Sequence, residues 1–260
     1  MKKSLLSLFV LTLFACSVDD NPIIEPDDRA PAGAVAVDMG FPSGTKWANM
    51  NVGAETPEGY GLYFAWGDVV GYTSDISDGH KFSWYAYKWM NPGGTSWQDI
   101  NKYQIDDEMF MGCWYDNDLN FIGDGKSILD IEDDAAHVLW GGKWVMPRIE
   151  EIQELIANTT AEWTSENGVN GMKFTSNFNG NSFFMPAAGT RKNLSTGQSQ
   201  GLNGAGIMCA YPSTSVRLKP LIDETQSFFF RGLFIDVRVG AYVHYDFRAI
   251  GTPIRAVQRK

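Results

Sequence analysis

The chain has 260 residues, of which 44% are hydrophobic, and its 31 acidic and 21 basic side chains give a net charge of -10. This length fits one large domain or two small ones, and the apolar fraction excludes a mainly disordered chain. The negative charge argues against nucleic-acid binding, because phosphates require a basic surface. Nine Trp, ten Tyr, sixteen Phe and 27 Gly favour many short strands joined by turns over a helical bundle.

The N-terminus has the features of an export signal. Two lysines precede an apolar stretch over residues 5–15, which is too short to cross a bilayer as a helix but suits a signal peptide. The sequence Leu-Phe-Ala-Cys at 13–16 resembles the bacterial lipobox, whose cysteine receives acyl chains such as palmitate. We therefore expect removal of residues 1–15 and a lipid anchor on Cys16. The alternative is a plain secretory signal with a chance cysteine.

Residues 16–33 are predicted to form a tether. The acidic run over residues 17–20 resembles the surface-export signal of Bacteroidetes lipoproteins, and this favours a position on the outside of the outer membrane. An ordinary solvated acidic segment is the alternative. The polar stretch over residues 21–32 contains three prolines, which are typical of an extended linker. The rest of the chain, residues 34–260, has no linker or repeat and is predicted to be one domain.

The first half of this domain alternates short strands with turns, followed by two helices. Strands are predicted over 34–38, 46–52 and 61–66, between Gly/Pro turns. Residues 130–139 are predicted to form a short helix capped by Asp130. A better helix pattern covers residues 147–157, where Pro147 suits the first turn and an apolar stripe follows.

The second half is predicted to be mainly antiparallel. Strands over 172–176 and 182–185 flank Asn179-Gly180, a hairpin signal. Residues 191–206 are rich in Gly, Ser, Asn and Gln and indicate a long loop. An apolar strand over 228–235, an alternating strand over 237–245 and a last strand over 252–258 complete an α+β pattern with two short helices.

Partial catalytic and metal motifs each lack a required feature. The G-x-S-x-G at 197–201 has polar flanks instead of the buried strand and the helix of a nucleophile elbow. The calcium-like run from Asp116 lacks the required Gly and Glu, and an acidic run over 132–134 suits a helix start. The three histidines have no metal spacing. We therefore expect no metal, no cofactor and no catalysis. Whether Cys113 and Cys209 form a disulfide stays open.

An ordered set of motifs does carry a family signal. Its segments, in chain order, are Val37-Asp38-Met39-Gly40, Gly44-Thr45-Lys46-Trp47-Ala48, Asn51-Val52-Gly53-Ala54, Phe64-Ala65-Trp66-Gly67, Asp124-Gly125-Lys126, Glu132-Asp133-Asp134-Ala135-Ala136, Gly141-Gly142-Lys143-Trp144, Met146-Pro147, Asn167-Gly168-Val169-Asn170-Gly171, Pro186-Ala187-Ala188-Gly189 and Ile254-Arg255. Over about residues 35–258, the chain resembles the Fibrobacter succinogenes major paralogous domain of Bacteroidetes lipoproteins. That domain is similar to the C-type lectin-like fold, which is shared with formylglycine-generating enzymes.

The resemblance implies a scaffold that displays a variable binding surface, since relatives include ligand-binding tips of fimbriae. The tryptophans at 47, 66 and 144 are expected in the core, with each indole N–H bonded to backbone. Met208-Cys209-Ala210-Tyr211 departs from the family's Tyr-Trp-Ser-Ser in the region where relatives bind ligands, so the ligand does not follow from the resemblance.

The predicted function is that of a surface-anchored adhesin or fimbrium-tip component, whose partners are fimbrial subunits and a host or bacterial surface protein or glycan. The alternatives are a formylglycine-generating type of enzyme, whose paired cysteines are not matched here, and a solitary carbohydrate-binding lipoprotein. Arg and Tyr are favoured interface anchors, and they occur on the predicted outer face of the 237–246 strand and in the segment before it. The predicted ligand-binding residues are Arg238, Tyr242, His244, Tyr211 and Arg217.

Overall fold

The computed structural model describes residues 27–106, 113–192, 201–217 and 226–260. Short, mainly antiparallel strands dominate these residues, and two α-helices accompany them. This confirms the α+β class that the sequence predicts. The signal peptide, Cys16 and the side chain of Arg217 lie outside the described residues, as does most of the G-x-S-x-G segment.

The two ends of the domain meet in one four-stranded sheet. Its strands are β1 (Ala36–Asp38), β2 (Lys46–Asn51), β14 (Arg255–Gln258) and β4 (Trp144–Val145), in the order β1-β2-β14-β4. Each neighbouring pair is antiparallel. A second contact between the ends is formed by β3 (Tyr63–Phe64) and β13 (Thr252–Pro253). The predicted last strand is thus divided in two at Ile254.

The strands after the second helix form two antiparallel sheets. The first contains β5 (Thr159–Glu166), β6 (Val169–Ser176) and β7 (Ser182–Pro186). The predicted hairpin around Asn179-Gly180 is confirmed as the β6–β7 connection. The second contains β10 (Met208–Arg217), β11 (Gln226–Asp236) and β12 (Gly240–Phe247). Sequence patterns missed β5 and β10, and β10 accommodates Pro212 because its register with β11 shifts directly after that residue.

Two predictions in this half were wrong. The segment over 191–206 is not only loop, because β8 (Thr190–Lys192) pairs with β9 (Gly201–Asn203). The strand predicted from Val237 begins only at Gly240. Residues 237–239 form the turn between β11 and β12 instead, and Gly240 has a positive φ of 92°. A three-residue hairpin turn followed by a glycine with positive φ accounts for the early reversal.

Both predicted helices are present with shorter bounds. The first is a 3-10 turn over Ile131–Asp133, followed by α1 (Ala135–Trp140). Asp134 caps α1 through the backbone N–H of His137, so the prediction of Asp130 as the cap was wrong. The second helix, α2 (Ile149–Ala157), starts two residues after Pro147, and the Glu151 carboxylate accepts the N–H of Arg148.

The core has two clusters, one on each side of the β10-β11-β12 sheet. The first contains Trp47 and the apolar face of α2, and the second contains Trp66 and Trp144. All three tryptophans are buried, as predicted. The Trp66 indole donates to the carbonyl of Ser213 at 2.8 Å. The expectation that each indole is bonded was wrong for Trp47 and Trp144, whose Nε1 atoms have no hydrogen-bond partner among the described residues.

The last part of the predicted tether lies against the domain. Arg29 donates its backbone N–H to the carbonyl of Trp140 and its guanidinium to that of Val138, at 2.5 and 2.7 Å. These two carbonyls belong to the last turn of α1, where carbonyl groups lack helical partners. The chain is therefore held to the end of α1 from about Asp27 onward.

Candidate functional site

The hairpin of β11 and β12 brings most of the predicted ligand-binding residues together. Phe234 lies opposite Tyr242, and Gly232 lies opposite His244. Neighbouring positions on β12, such as Val243, point to the other face and pack against the first core cluster. The alternation predicted for this strand therefore holds from Gly240 onward, and Tyr242 and His244 share one face.

The turn at the end of this hairpin is held by an aspartate–arginine pair. The Asp236 carboxylate accepts the backbone N–H of Arg238 at 2.7 Å and two guanidinium N–H groups at 3.2 and 3.1 Å. The Asp236 side chain is 7% exposed, whereas that of Arg238 is 78% exposed. The guanidinium holds the pKa of the Asp236 carboxyl below its usual value. Both groups are therefore charged at neutral pH, and the turn is ordered before any ligand arrives.

Three exposed aliphatic side chains lie on this turn and on the turn that is hydrogen-bonded to it. Val237, Val239 and Ile207 are 46%, 67% and 51% exposed. The backbone N–H of Val237 donates to the carbonyl of Ile207 at 3.0 Å, which joins the two turns. We call Ile207, Val237, Arg238 and Val239 the hairpin-tip surface. Arg is enriched at protein interfaces, and the exposed aliphatic groups on the same surface add apolar area that a partner can bury.

Tyr242 and His244 continue this surface along β12. The Tyr242 ring lies 5.9 Å from the rings of both Phe234 and His244. Partial burial raises the pKa of the Tyr242 hydroxyl above its usual value, and the Asp236 carboxylate adds to the rise. His244 is exposed. Tyr242 is therefore a neutral, half-buried ring that supports the exposed histidine, whereas the sequence predicted a solvent-facing residue.

Tyr211 is not part of this surface. Its side chain is 1% exposed, and its hydroxyl donates to the carbonyl of Pro186 at 2.6 Å. The Asn51 amide donates to the same hydroxyl at 3.3 Å. These bonds place Tyr211 in the core as a link between strands, so its prediction as a ligand-binding residue was wrong. The backbone of Arg217 ends β10, and its side chain is outside the described residues.

The two cysteines are separate and free. Cys113 is exposed, and Cys209 is buried with its thiol directed to the carbonyl of Gly189. Burial raises the pKa of the Cys209 thiol, and a thiol that stays protonated is a poor nucleophile. The structure therefore answers the question that the sequence left open: no disulfide joins this pair.

The acidic residues before α1 are engaged with protein partners. Asp133 accepts from Lys88 at 3.0 Å and Lys102 at 2.7 Å, and Asp134 accepts the N–H of Met146 at 2.8 Å. Burial raises the pKa of Asp134 to about 6. In the described part of the chain, no group of three His, Cys, Asp or Glu side chains is placed to hold a metal ion.

Sequence reasoning missed the aliphatic members of the hairpin-tip surface. Val237 and Val239 continue an alternating pattern, so they were assigned to the buried face of a strand. The signal that marks the turn is the pair Asp236 and Arg238 followed by Gly240, because an Asp that accepts the N–H two residues on is typical of turns.

No family model, curated protein or solved structure matches the chain. Within the described ranges, no helix is long and apolar enough to span a membrane.

Proposed function

We propose that this chain is a lipid-anchored binding protein of the outer-membrane surface, and that it acts as an adhesin or as a component of a fimbrium tip. The observation that carries the proposal is the hairpin-tip surface, which combines three exposed aliphatic side chains and an exposed arginine on two turns joined by a backbone hydrogen bond. Contiguous apolar groups at a protein surface mark interaction sites more often than scattered ones do.

The order of the turn favours binding. Asp236 already fixes the backbone and the guanidinium of Arg238, so little conformational freedom remains to be lost when a partner docks. The guanidinium uses two of its nitrogen atoms for Asp236, and its other donors face solvent for an acceptor on the ligand. A host or bacterial surface protein or glycan supplies such acceptors as carbonyl and hydroxyl oxygens.

The scaffold proposal is a C-type lectin-like fold of the Fibrobacter succinogenes major paralogous domain type. Its support is the pairing of β2 with β14, which closes the domain at its two ends, and the order of two helices before the late antiparallel strands. In such a scaffold buried aromatic residues form a constant core, and the loops at one end of the domain can vary in sequence. The hairpin tip is such an end.

Adhesion of cells that display the full chain tests the binding surface. Val239→Glu replaces an exposed apolar side chain of the hairpin-tip surface with a carboxylate, and we expect adhesion to epithelial cells or to other bacteria to weaken about tenfold. Val70→Glu is the matched control, because Val70 is 54% exposed and lies in a different loop. Equal adhesion of the two variants on every surface that the wild type binds would place the site elsewhere.

The anchor requires a separate experiment. Cys16→Ala removes the thiol that the lipid would occupy, and we expect the chain to move from the detergent phase to the aqueous phase on phase separation. Isolation of surface fibres then distinguishes a fimbrium tip, which co-purifies at fibre ends, from a solitary lipoprotein. A Cys16→Ala chain that still partitions with detergent contradicts the lipoprotein proposal.

A further inference from the structure

A cavity of about 130 Å³ lies beside β8, away from the residues of the hairpin-tip surface. The residues that line it are Arg191, Lys192 and Gly201 on one side and, on the other, Ile76, Gly79, His80, Lys81 and Phe82. We call it the β8 cavity. Its size is close to that of cavities of about 150 Å³ that hold a benzene molecule, so it has room for one six-membered ring.

A buried arginine builds the wall of this cavity. Arg191 is 3% exposed, and its two terminal nitrogens donate to both Asp78 carboxylate oxygens at 2.8 and 2.9 Å. They also donate to the carbonyls of Thr73 at 2.8 Å and His80 at 3.1 Å. Four of the five guanidinium N–H groups are thus used. The fifth, on Nε, has no partner in the described part of the chain.

The same wall contains a fixed, uncharged imidazole. The His80 ring stacks on Tyr72 with centroids 3.5 Å apart, and Phe82 meets it edge-on at 4.5 Å. Burial lowers the pKa of His80, and the Arg191 charge adds to the decrease. At neutral pH the ring therefore offers one donor and one acceptor nitrogen, and neither is hydrogen-bonded to a described residue.

The cationic side chains that line the cavity differ in whether they form ion pairs. None of the described residues that line it is acidic, whereas Lys81, Arg191 and Lys192 are cationic. Asp78 neutralises Arg191, and Asp246 pairs with Lys192 at 2.8 Å. Lys81 is exposed and has no acidic partner in the described chain. Lys81 is therefore the lining cation that remains available to an anionic ligand.

We infer that the β8 cavity binds a small monocarboxylate carried on a six-membered ring. The carboxylate lies near the Lys81 ammonium, the ring lies against the apolar side of Ile76 and Phe82, and the free donors of Arg191 and His80 meet ring substituents. Acidic sugars and aromatic acids share this chemistry. Its small size predicts weak binding by an isolated ligand, with a Kd of about 1 mM.

Calorimetric titration of the detergent-solubilised full chain tests this inference with four probes: glucuronate, benzoate, glucose and inorganic phosphate. We expect saturable binding of at least one of the two ring carboxylates. Glucuronate alone identifies an acidic sugar as the ligand, benzoate alone identifies an aromatic acid, and both together identify a general ring carboxylate. Binding of neither, glucose binding as tight as glucuronate binding, or a preference for phosphate over both overturns the inference.

Matched variants locate the binding. Lys81→Gln should weaken binding at least about fivefold because it removes the uncompensated charge, whereas Lys143→Gln alters an exposed lysine elsewhere and should have no effect. Ile76→Asp and Ile76→Asn both remove the apolar contact with the ring, but only the Asp variant adds a carboxylate, so it should bind more weakly than the Asn variant. Equal binding by the Asp and Asn variants would show that charge does not select the ligand.

Discussion

The hairpin-tip surface and the β8 cavity are both built on an aspartate–arginine pair, but the burial of the two partners is reversed. At the hairpin tip the aspartate is 7% exposed and the arginine 78% exposed. At the cavity the arginine is 3% exposed and the aspartate 26% exposed. The buried partner is the one that organises backbone in each case: Asp236 accepts a turn N–H, and Arg191 donates to two carbonyls.

This reversal determines what each pair offers to a ligand. Arg238 keeps donors in solvent and is available to a large partner that approaches the surface. Arg191 has one donor left and contributes mainly by holding the walls of a small cavity. The role of an Asp–Arg pair therefore cannot be predicted from the two residue types alone, because it depends on which partner the fold buries.

The largest expected effect is on stability at the cavity. Arg191→Ala removes four hydrogen bonds and leaves Asp78 and two carbonyls without their partner, which should reduce the free energy of unfolding by about 3 kcal/mol. Urea unfolding followed by tryptophan fluorescence measures this change. Arg238→Ala is the control and should alter the midpoint little, because the side chain is exposed. Similar losses in the two variants would contradict the proposed difference between the pairs.

The next effect is a dependence on acid. Arg191 lowers the pKa of Asp78 from the ordinary 3.8 to about 2. Because the folded-state pKa lies below the unfolded value, the stabilisation is nearly complete above about pH 5 and is lost as the pH falls from there towards 2. We expect the difference in unfolding midpoint between wild type and Arg191→Ala to shrink over that range. A constant difference would mean that the pair is not linked to protonation of Asp78.

A smaller effect distinguishes the two tyrosines. Tyr211→Phe removes the hydrogen bond to Pro186 and should reduce the free energy of unfolding by about 1 kcal/mol, with unchanged adhesion. Tyr242→Phe should cost less, because the Tyr242 hydroxyl makes no hydrogen bond with a described residue. Chemical denaturation and the adhesion assay check both variants. A loss of adhesion in Tyr211→Phe at unchanged stability would return Tyr211 to the binding surface.

The two tyrosines also show how far the sequence predicts the site. The α+β class, the β6–β7 hairpin and the grouping of Arg238, Tyr242 and His244 follow from periodicity and turn residues, which are local signals. Burial of Tyr211 depends on contacts with Pro186 and Asn51, which lie 25 and 160 positions away. No local pattern carries this information, so the sequence predicts Tyr211 at the exposed binding surface although the fold buries it.

The β8 cavity was missed for the same reason. Its walls come from two segments that are more than 100 positions apart, and the Arg191–Asp78 pair joins them across 113 positions. Each segment alone reads as a polar loop, and residues 191–206 were predicted as such. The turn after Asp236 also escapes the sequence pattern, because Val237 and Val239 extend an alternation that predicts a strand there.

The smallest expected effect is that of Arg238→Lys, and its comparison with Arg191→Lys gives the clearest distinction between the two arginines. Arg238→Lys keeps a cation on the exposed turn, and Asp236 still accepts the backbone N–H at 2.7 Å. We expect an unfolding midpoint within about 2 °C of the wild type and a largely retained adhesion. Arg191→Lys keeps the same charge but cannot replace a planar group that donates to three acceptor residues. Thermal unfolding should therefore separate the two Arg→Lys variants, with the loss confined to position 191. A loss at position 238 of the same size would mean that the guanidinium geometry, and not only its charge, holds the hairpin turn.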